Sequence, residues 1–205
     1  MKTLDTRKIA GINSEAYDLE EYNIFLGYYQ DLAFLQNHVD TVLDEIVASI
    51  NRVSFPSKKF DQAESIMHIR GGDYLESRHR LILGVLNSDY YSCILEYLGK
   101  DLGKNPIVVT DDVVHTQSVL PKIDKMRILG PNQANEWESF QIIANSKLAV
   151  IANSTFSWWA GMVVLKRGGR LLAPYPWTIK ENESGLFTSN VFADGMEKIP
   201  SSFSH

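Results

Sequence analysis

Three polar side chains, one of them an arginine that suits anion binding, follow one another closely in the chain. A short apolar run leads into His68 and Arg70, two glycines come next, and Asp73 follows. On an extended strand end, residues two apart point to the same side, and the glycines let the backbone turn or approach a ligand closely. The guanidinium fork of arginine matches the oxygens of a phosphate or pyrophosphate. The pattern therefore predicts a phosphate-binding strand end, and the alternative is a surface turn held by an Arg70–Asp73 salt bridge.

A second polar group, Asp111 and Asp112, follows the β-branched run 107–110. Two adjacent carboxylates repel a phosphate, but they accept hydrogen bonds from sugar hydroxyls or from the edge of a nucleobase. Adjacent carboxylates also hold Mg²⁺ in many proteins. For Asp112, a simple helix N-cap is a further alternative.

A third group, Asn153, Ser154 and Thr155, separates a fully apolar run from a helical pattern. The free backbone N–H groups of a helix N-terminus bind anions, and hydroxyls there add donors. The alternative is plain capping of the helix by Ser154 or Thr155. We expect Trp158 and Trp159, on the first turns of this helix, to pack in the core.

The elements that must position these groups alternate between strand and helix from residue 64 onwards. Such alternation predicts an α/β fold, a Rossmann-like open parallel sheet with helices on both faces, in which ligands bind at the carboxyl ends of the strands. All three polar groups lie at such ends. Strands are predicted over 64–69, 107–110, 126–129, 148–152 and 170–174, and helices over 88–102, 113–120, 136–146 and 153–165.

Local patterns add narrower expectations. Ser88 is predicted to cap its helix, Trp137 to face inward and Cys93 to be buried, while 76–86 is predicted to be a loop. Residues 1–23 contain no convincing strand, part of 23–36 reads as a strand ending near Gly27, and 37–50 has helical spacing. The serine-rich C-terminal end is expected to fray. Histidines other than His68 are expected on the surface: His38, His79, His115 and His205.

Composition excludes several classes of protein. The 205 residues include 20 Lys and Arg against 25 Asp and Glu, a net charge of −5 without a basic block, which argues against nucleic-acid binding. One cysteine excludes an internal disulfide and fits a reducing compartment. No stretch resembles a signal peptide or a membrane span, so we expect a cytoplasmic protein, either free or peripheral to the membrane.

Taken together, the stretches 68–74, 110–112 and 153–159 resemble family 11 glycosyltransferases, the inverting α-1,2-fucosyltransferases that use GDP-fucose. The run Asn-Ser-Thr-Phe-Ser-Trp-Trp at 153–159 is a highly specific mark of this resemblance. The Gly-Tyr-Tyr-Gln sequence at 27–30 resembles an element that precedes the first motif in that family, and the resemblance covers roughly residues 22–177.

The resemblance implies the C-terminal, donor-binding half of a GT-B architecture, with a nucleotide-sugar-binding domain over 58–205 and a mostly helical partial segment over 1–57. It implies a metal-independent transfer of fucose from GDP-fucose to a galactoside acceptor, with no cofactor. Arg70 would be the catalytic residue, stabilising the leaving diphosphate. The implied donor-binding residues are His68, Asp73, Asp111, Asp112, Asn153, Ser154, Thr155 and Phe156.

Two departures from the family pattern support a second hypothesis. The family usually has two consecutive arginines in its first motif, and here Gly71 occupies the second position. Nothing in residues 1–23 matches the strand and glycine-rich loop with which family members begin, so most of the acceptor half is expected to be missing. The alternative is therefore a remnant that binds GDP or a GDP-sugar without transferring it, and a face exposed by that loss would favour homo-oligomers.

Overall fold

The computed structural model describes residues 3–5, 24–26, 32–35, 38–53, 65–103, 105–121, 126–179 and 191–204. Near the N-terminus, strand β1 (Thr3–Asp5) pairs in parallel with β2 (Ile24–Leu26). The expectation that residues 1–23 contain no strand was therefore wrong, because β1 has only three residues and shows no alternation to detect. The boundary placed at residue 57 lies outside the described residues.

The main sheet has six strands, all parallel, in the order β5-β4-β3-β6-β7-β8. Numbered from β3, this is the strand order 3-2-1-4-5-6 of a Rossmann fold. The chain first adds strands on one side of β3 and then, from β6 onwards, on its other side, so the switch point lies between β3 and β6. The fold-class prediction is confirmed. The last strand was missed, because its charged residues give it no continuous apolar run. The strands are β3 (Ser65–Ile69), β4 (Ile107–Thr110), β5 (Arg127–Leu129), β6 (Leu148–Val150), β7 (Arg170–Tyr175) and β8 (Met196–Pro200).

Seven α-helices are present among the described residues: α1 (Leu32–Leu35), α2 (Val39–Arg52), α3 (Ser77–Ile82), α4 (Ser88–Leu98), α5 (Val113–Val119), α6 (Glu136–Ala144) and α7 (Thr155–Lys166). Short 3₁₀ turns cover Gly72–Leu75 and Gly99–Leu102. Within the described ranges, no helix is both long and apolar enough to cross a membrane.

The sheet separates two apolar cores. On one face, α2, α6 and α7 pack over the inner strands, and Trp158 is completely buried, with its Nε1–H donating to the Val191 carbonyl at 2.6 Å. On the other face, α4 and α5 cover Met67 and Ile69 of β3. Strands buried on both faces explain why their sequences are continuously apolar.

Several local predictions were wrong. The N-cap of α4 is Asn87, whose side-chain oxygen accepts from the backbone N–H of Asp89 and Tyr90, and Ser88 is the first helical residue. Cys93 is exposed, and so is Trp137.

The segment 76–86, predicted as a loop, contains α3. The serine-rich end is also ordered in its described part: Ser204 N–H donates to Val85 O at 2.8 Å, and Asn87 N–H donates to Ser202 O at 3.0 Å. These bonds hold the chain end against the segment that follows α3.

Candidate functional site

The guanidinium of Arg70 is held between two carboxylates at the carboxyl end of β3. Its Nη2 donates to Oδ1 of Asp73 at 2.5 Å, and its Nη1 lies 2.6 Å from Oδ2 of Asp111. The guanidinium carbon also lies 5.3 Å from the centre of the Tyr74 ring. The salt bridge to Asp73 that the sequence suggested is therefore present, and Asp111 adds a second ion pair from the neighbouring strand. Two fixed partners orient the planar guanidinium before any ligand arrives.

Asp111 joins the ends of β3 and β4. While Oδ2 pairs with Arg70, Oδ1 accepts the backbone N–H of Gly71 at 2.8 Å. Gly72 follows with a φ of +45°, a conformation that favours glycine, and a side chain there would collide with the Asp111 carboxylate. Both carboxylate oxygens of Asp111 thus act on the first motif, and its expected contact with a nucleoside stays a prediction.

Asp112 caps α5, as the alternative interpretation predicted. Its Oδ1 accepts the backbone N–H of His115 at 2.9 Å. This capping turn brings the His115 ring back toward the end of β3, where a Cβ on Gly71 would lie 3.1 Å from its Cδ2 and 2.8 Å from the Cβ of Asp112. The space beside Gly71 is therefore already filled.

His115 was expected on the surface, but its side chain is half-buried and its Nε2 is covered, with no hydrogen-bond partner among the described residues. Burial lowers its pKa, an effect that Asp112 and Asp111 oppose and Arg80 reinforces. The sequence signal that could have located it is its position in the first turn after a capping aspartate.

Asn153 and its neighbours lie where β6 turns into α7. The buried Asn153 amide donates to the carbonyls of Leu83 at 2.9 Å and Gly84 at 3.3 Å, so it fixes the end of α3 to the start of α7. The Tyr74 hydroxyl donates to the Asn153 carbonyl at 2.9 Å, which ties the β3 motif to the same turn.

Ser154 occupies the N-cap position of α7, yet its side chain makes no capping hydrogen bond, and Thr155 is the first helical residue. The prediction that one of their hydroxyls caps the helix was wrong. The first-turn N–H groups, beginning with those of Thr155 and Phe156, are consequently not satisfied by the N-cap side chain, and such groups attract anions.

His68 lies within β3, two residues before Arg70, and is buried. Only 3% of its surface is exposed, and its ring centre is 5.7 Å from that of Phe156. Nδ1 has no hydrogen-bond partner among the described residues. Burial, with a smaller contribution from Arg70, lowers the pKa of His68 to about 3, so the imidazole is neutral at physiological pH.

The structure thus gathers the predicted residues around the switch between β3 and β6, in three connected parts. Arg70, Asp73 and Asp111 form a charged cluster next to Asp112, which caps α5; the Asn153 turn carries Ser154 and Thr155, and His68 pairs with Phe156. No three His, Cys, Asp or Glu residues of the described ranges form a metal-binding group.

The parallel α/β sheet in Rossmann order thus has an oriented arginine and an uncapped helix N-terminus at its switch point, the place where ligands bind in such sheets. The sequence model described as glycosyl transferase family 11 matches residues 6–191, and the chain belongs to that family.

Two curated relatives from Escherichia coli are similar to the chain. The O-antigen biosynthesis glycosyltransferase WbnK is 26% identical over 171 residues, covering 78% of this chain and 56% of the relative. An alpha-1,2-colitosyltransferase is 28% identical over 171 residues, covering 77% and 57%. The chain therefore spans a little over half the length of each relative. No solved structure gave a significant match.

Proposed function

We propose that the protein is an inverting glycosyltransferase that transfers L-fucose from GDP-fucose to a galactoside hydroxyl in an α-1,2 linkage, during glycan biosynthesis. Membership of glycosyl transferase family 11 supports a glycosyltransferase with a sugar donor and an acceptor. The fucose donor, the galactoside acceptor and the GT-B architecture are the finer parts of the proposal.

The observation that carries the proposal is the preorganised Arg70 at the end of β3, a motif that the Tyr74 hydroxyl ties to the turn leading into the uncapped α7. In the proposed reaction the acceptor oxygen bonds to the anomeric carbon, the bond from that carbon to the β-phosphate oxygen breaks and releases GDP, and the hydroxyl proton passes to solvent water. Charge develops on the leaving diphosphate in an oxocarbenium-like transition state. A guanidinium fixed where that charge develops stabilises it without reorganisation.

We further propose that the reaction needs no metal ion. Arg70 and the first-turn N–H groups of α7, beginning with Thr155 and Phe156, supply the positive charge and the donors that a bound Mg²⁺ would otherwise provide. His68 and Asp112 would contact the nucleoside, while Asp73 and Asp111 would hold Arg70 in place.

A second candidate is binding without transfer. Both Nη atoms of Arg70 already pair with carboxylates, which competes with phosphate binding, and Gly71 replaces the second arginine typical of the family. A third candidate keeps the reaction and changes the sugar, because one relative is named as a transferase of colitose with the same α-1,2 linkage.

Calorimetric titration with GDP, with and without Mg²⁺, tests the donor site, and a transfer assay with GDP-fucose and β-galactoside acceptors tests the reaction. Metal-independent GDP binding together with fucose transfer is the expected result. GDP binding without turnover on any acceptor would support the second candidate, and dependence on Mg²⁺ would refute the metal-free proposal. Competition by GDP-colitose against GDP-fucose separates the first candidate from the third.

A further inference from the structure

Four aromatic rings form a continuous strip from the protein surface to the buried end of β3. Trp137 stacks on Phe140, with ring centres 5.8 Å apart and planes 8° from parallel. Phe140 meets Phe156 edge-on at 5.6 Å, and Phe156 lies 5.7 Å from His68. We call these four residues the aromatic strip.

Exposure falls steadily along the aromatic strip. Trp137 is 39% exposed, Phe140 and Phe156 are half-buried, and His68 is 3% exposed. The strip therefore descends from the rim of the sheet's carboxyl edge into the switch point. An exposed tryptophan is not required for the core here, because Trp158 and the aliphatic residues of α6 and α7 already fill it.

The strip differs in charge from the cluster around Arg70. Its rings carry no charge, since His68 is neutral, and the residues flanking Trp137 are the acidic Glu136 and Glu138. An anionic diphosphate is repelled by those carboxylates, whereas a flat, uncharged ring stacks well on an indole face. The cluster around Arg70 thus suits the charged diphosphate of a donor, and the aromatic strip suits its uncharged base.

We propose that the exposed face of Trp137 binds the nucleobase of the donor by stacking, making Trp137 a donor-binding residue that none of the sequence motifs includes. This inference rests on the proposed function. The nucleobase suits the strip better than the acceptor sugar does, because the strip joins Trp137, through Phe140, to Phe156 in the first turn of α7, where the diphosphate of the same donor is proposed to bind. In this arrangement the diphosphate lies at the start of α7, and the nucleoside extends from it along the strip to Trp137.

The test compares GDP with inorganic pyrophosphate, which lacks the base, by calorimetry. Because stacking of a base on an aromatic side chain contributes substantially, Trp137→Ala should weaken GDP binding about 5- to 100-fold, while pyrophosphate affinity stays unchanged. Trp137→Phe should retain most of the GDP affinity, because it keeps an aromatic face. Tyr97→Ala is the matched control, since Tyr97 is an exposed aromatic residue on α4, 57% accessible, and it bonds Glu197.

A fluorescence measurement gives an independent readout. The chain has four tryptophans, of which Trp158 and Trp177 are buried. Stacking of guanine should quench the emission of Trp137, so quenching by GDP should largely disappear in Trp137→Phe.

Three results would overturn the inference. Wild-type affinity for GDP in Trp137→Ala would remove the residue from the donor site, and equal weakening of GDP and pyrophosphate would show that Trp137 does not act on the base. An unchanged GDP affinity with a raised KM for the galactoside would assign Trp137 to the acceptor. If the wild-type protein bound no GDP at all, the proposed function itself would be wrong. The results above concern only Trp137, because in each of them the wild-type protein still binds GDP.

Discussion

At the scale of single residues, Arg70 is held by negative charge on both sides before any donor binds. Two carboxylates from different loops fix its orientation, which is favourable for a preorganised catalytic group. The same carboxylates oppose an incoming diphosphate, so a donor must compensate by bonding the N–H groups of α7 as well. Arg70 and the N–H groups of α7 therefore share the predicted electrostatic contribution to donor binding.

Replacing Arg70 by alanine should weaken GDP binding by about 1.5–3 kcal/mol, the range for a hydrogen bond to a charged group. Arg70→Lys should recover only part of this loss, because an ammonium group cannot bridge Asp73 and Asp111 with a planar fork. Calorimetry on both variants measures the effect, and the exposed Arg78→Ala, on α3, is the control. An unchanged affinity in Arg70→Ala would exclude Arg70 from the diphosphate site.

His68 makes stability depend on pH. Its pKa is about 3 in the folded protein and about 6.5 when unfolded, so between these values only the unfolded chain binds the proton. The free energy of unfolding should therefore be unaffected by His68 above pH 6.5 and should fall as pH decreases toward 3. The slope contributed by this group approaches about 1.4 kcal/mol per pH unit.

Urea denaturation at pH 7, 6, 5 and 4 measures this effect. His68→Phe removes the titrating group and should give a shallower loss of stability over the range than wild type does. The exposed His38→Gln serves as the control and should retain the wild-type slope. Parallel curves for wild type and His68→Phe would show that His68 does not titrate as a buried, neutral imidazole.

At the scale of elements, the turn from β6 into α7 is held by α3 rather than by its own capping residue. The Asn153 side chain satisfies two carbonyls at the end of α3, and the hydroxyl of Tyr74 bonds its backbone. Since Ser154 does not cap α7, the helix N-terminus is left for a ligand while neighbouring elements keep it in position. The Asn-Ser-Thr sequence at 153–155 suggests a helix cap, but its asparagine instead bonds residues about seventy positions earlier in the chain.

Asn153→Ala should lower the free energy of unfolding by about 1–3 kcal/mol, because it leaves the carbonyls of Leu83 and Gly84 without their buried donor. Asn153→Asp should be at least as destabilising, since a carboxylate cannot donate to them. Chemical denaturation of both variants measures the change, with the exposed Asn132→Ala as the control. Stability equal to wild type would mean that these two hydrogen bonds contribute nothing in solution.

At the scale of the whole molecule, the chain end stabilises a segment more than a hundred residues earlier. Phe203 forms an isolated antiparallel bridge with Leu86, and its ring lies so close to Gly84 that a side chain there would clash. Through Gly84 the same contact reaches Asn153 and hence the start of α7. The C-terminal residues therefore support the candidate site although they contribute no side chain to it.

Phe203→Ala should increase amide hydrogen exchange across residues 84–87, because the bonds from Asn87 N–H to Ser202 O and from Ser204 N–H to Val85 O lose the ring that anchors them. Exchange in β4, on the far side of β3, should not change and provides the internal control. Unchanged protection at Asn87 would show that the backbone bonds hold the chain end without Phe203.

Elements with strong local signals could be predicted from the sequence alone. The strand over 107–110 was predicted with its observed bounds, and the fold class follows from alternating apolar runs and helical stripes, because local periodicity reflects which face is buried. Motif residues also placed the site at the carboxyl ends of strands. The parallel topology then required those ends to meet at one edge.

Features that depend on partners distant in the chain became visible only in the folded protein. Each of these features depends on how separate elements pack against one another. They are the second carboxylate on Arg70, the His115 ring beside Gly71, the exposure of Trp137 and the strand β8. No pattern within a short window encodes such a contact, because side-chain type and spacing specify a face and not the group that covers it.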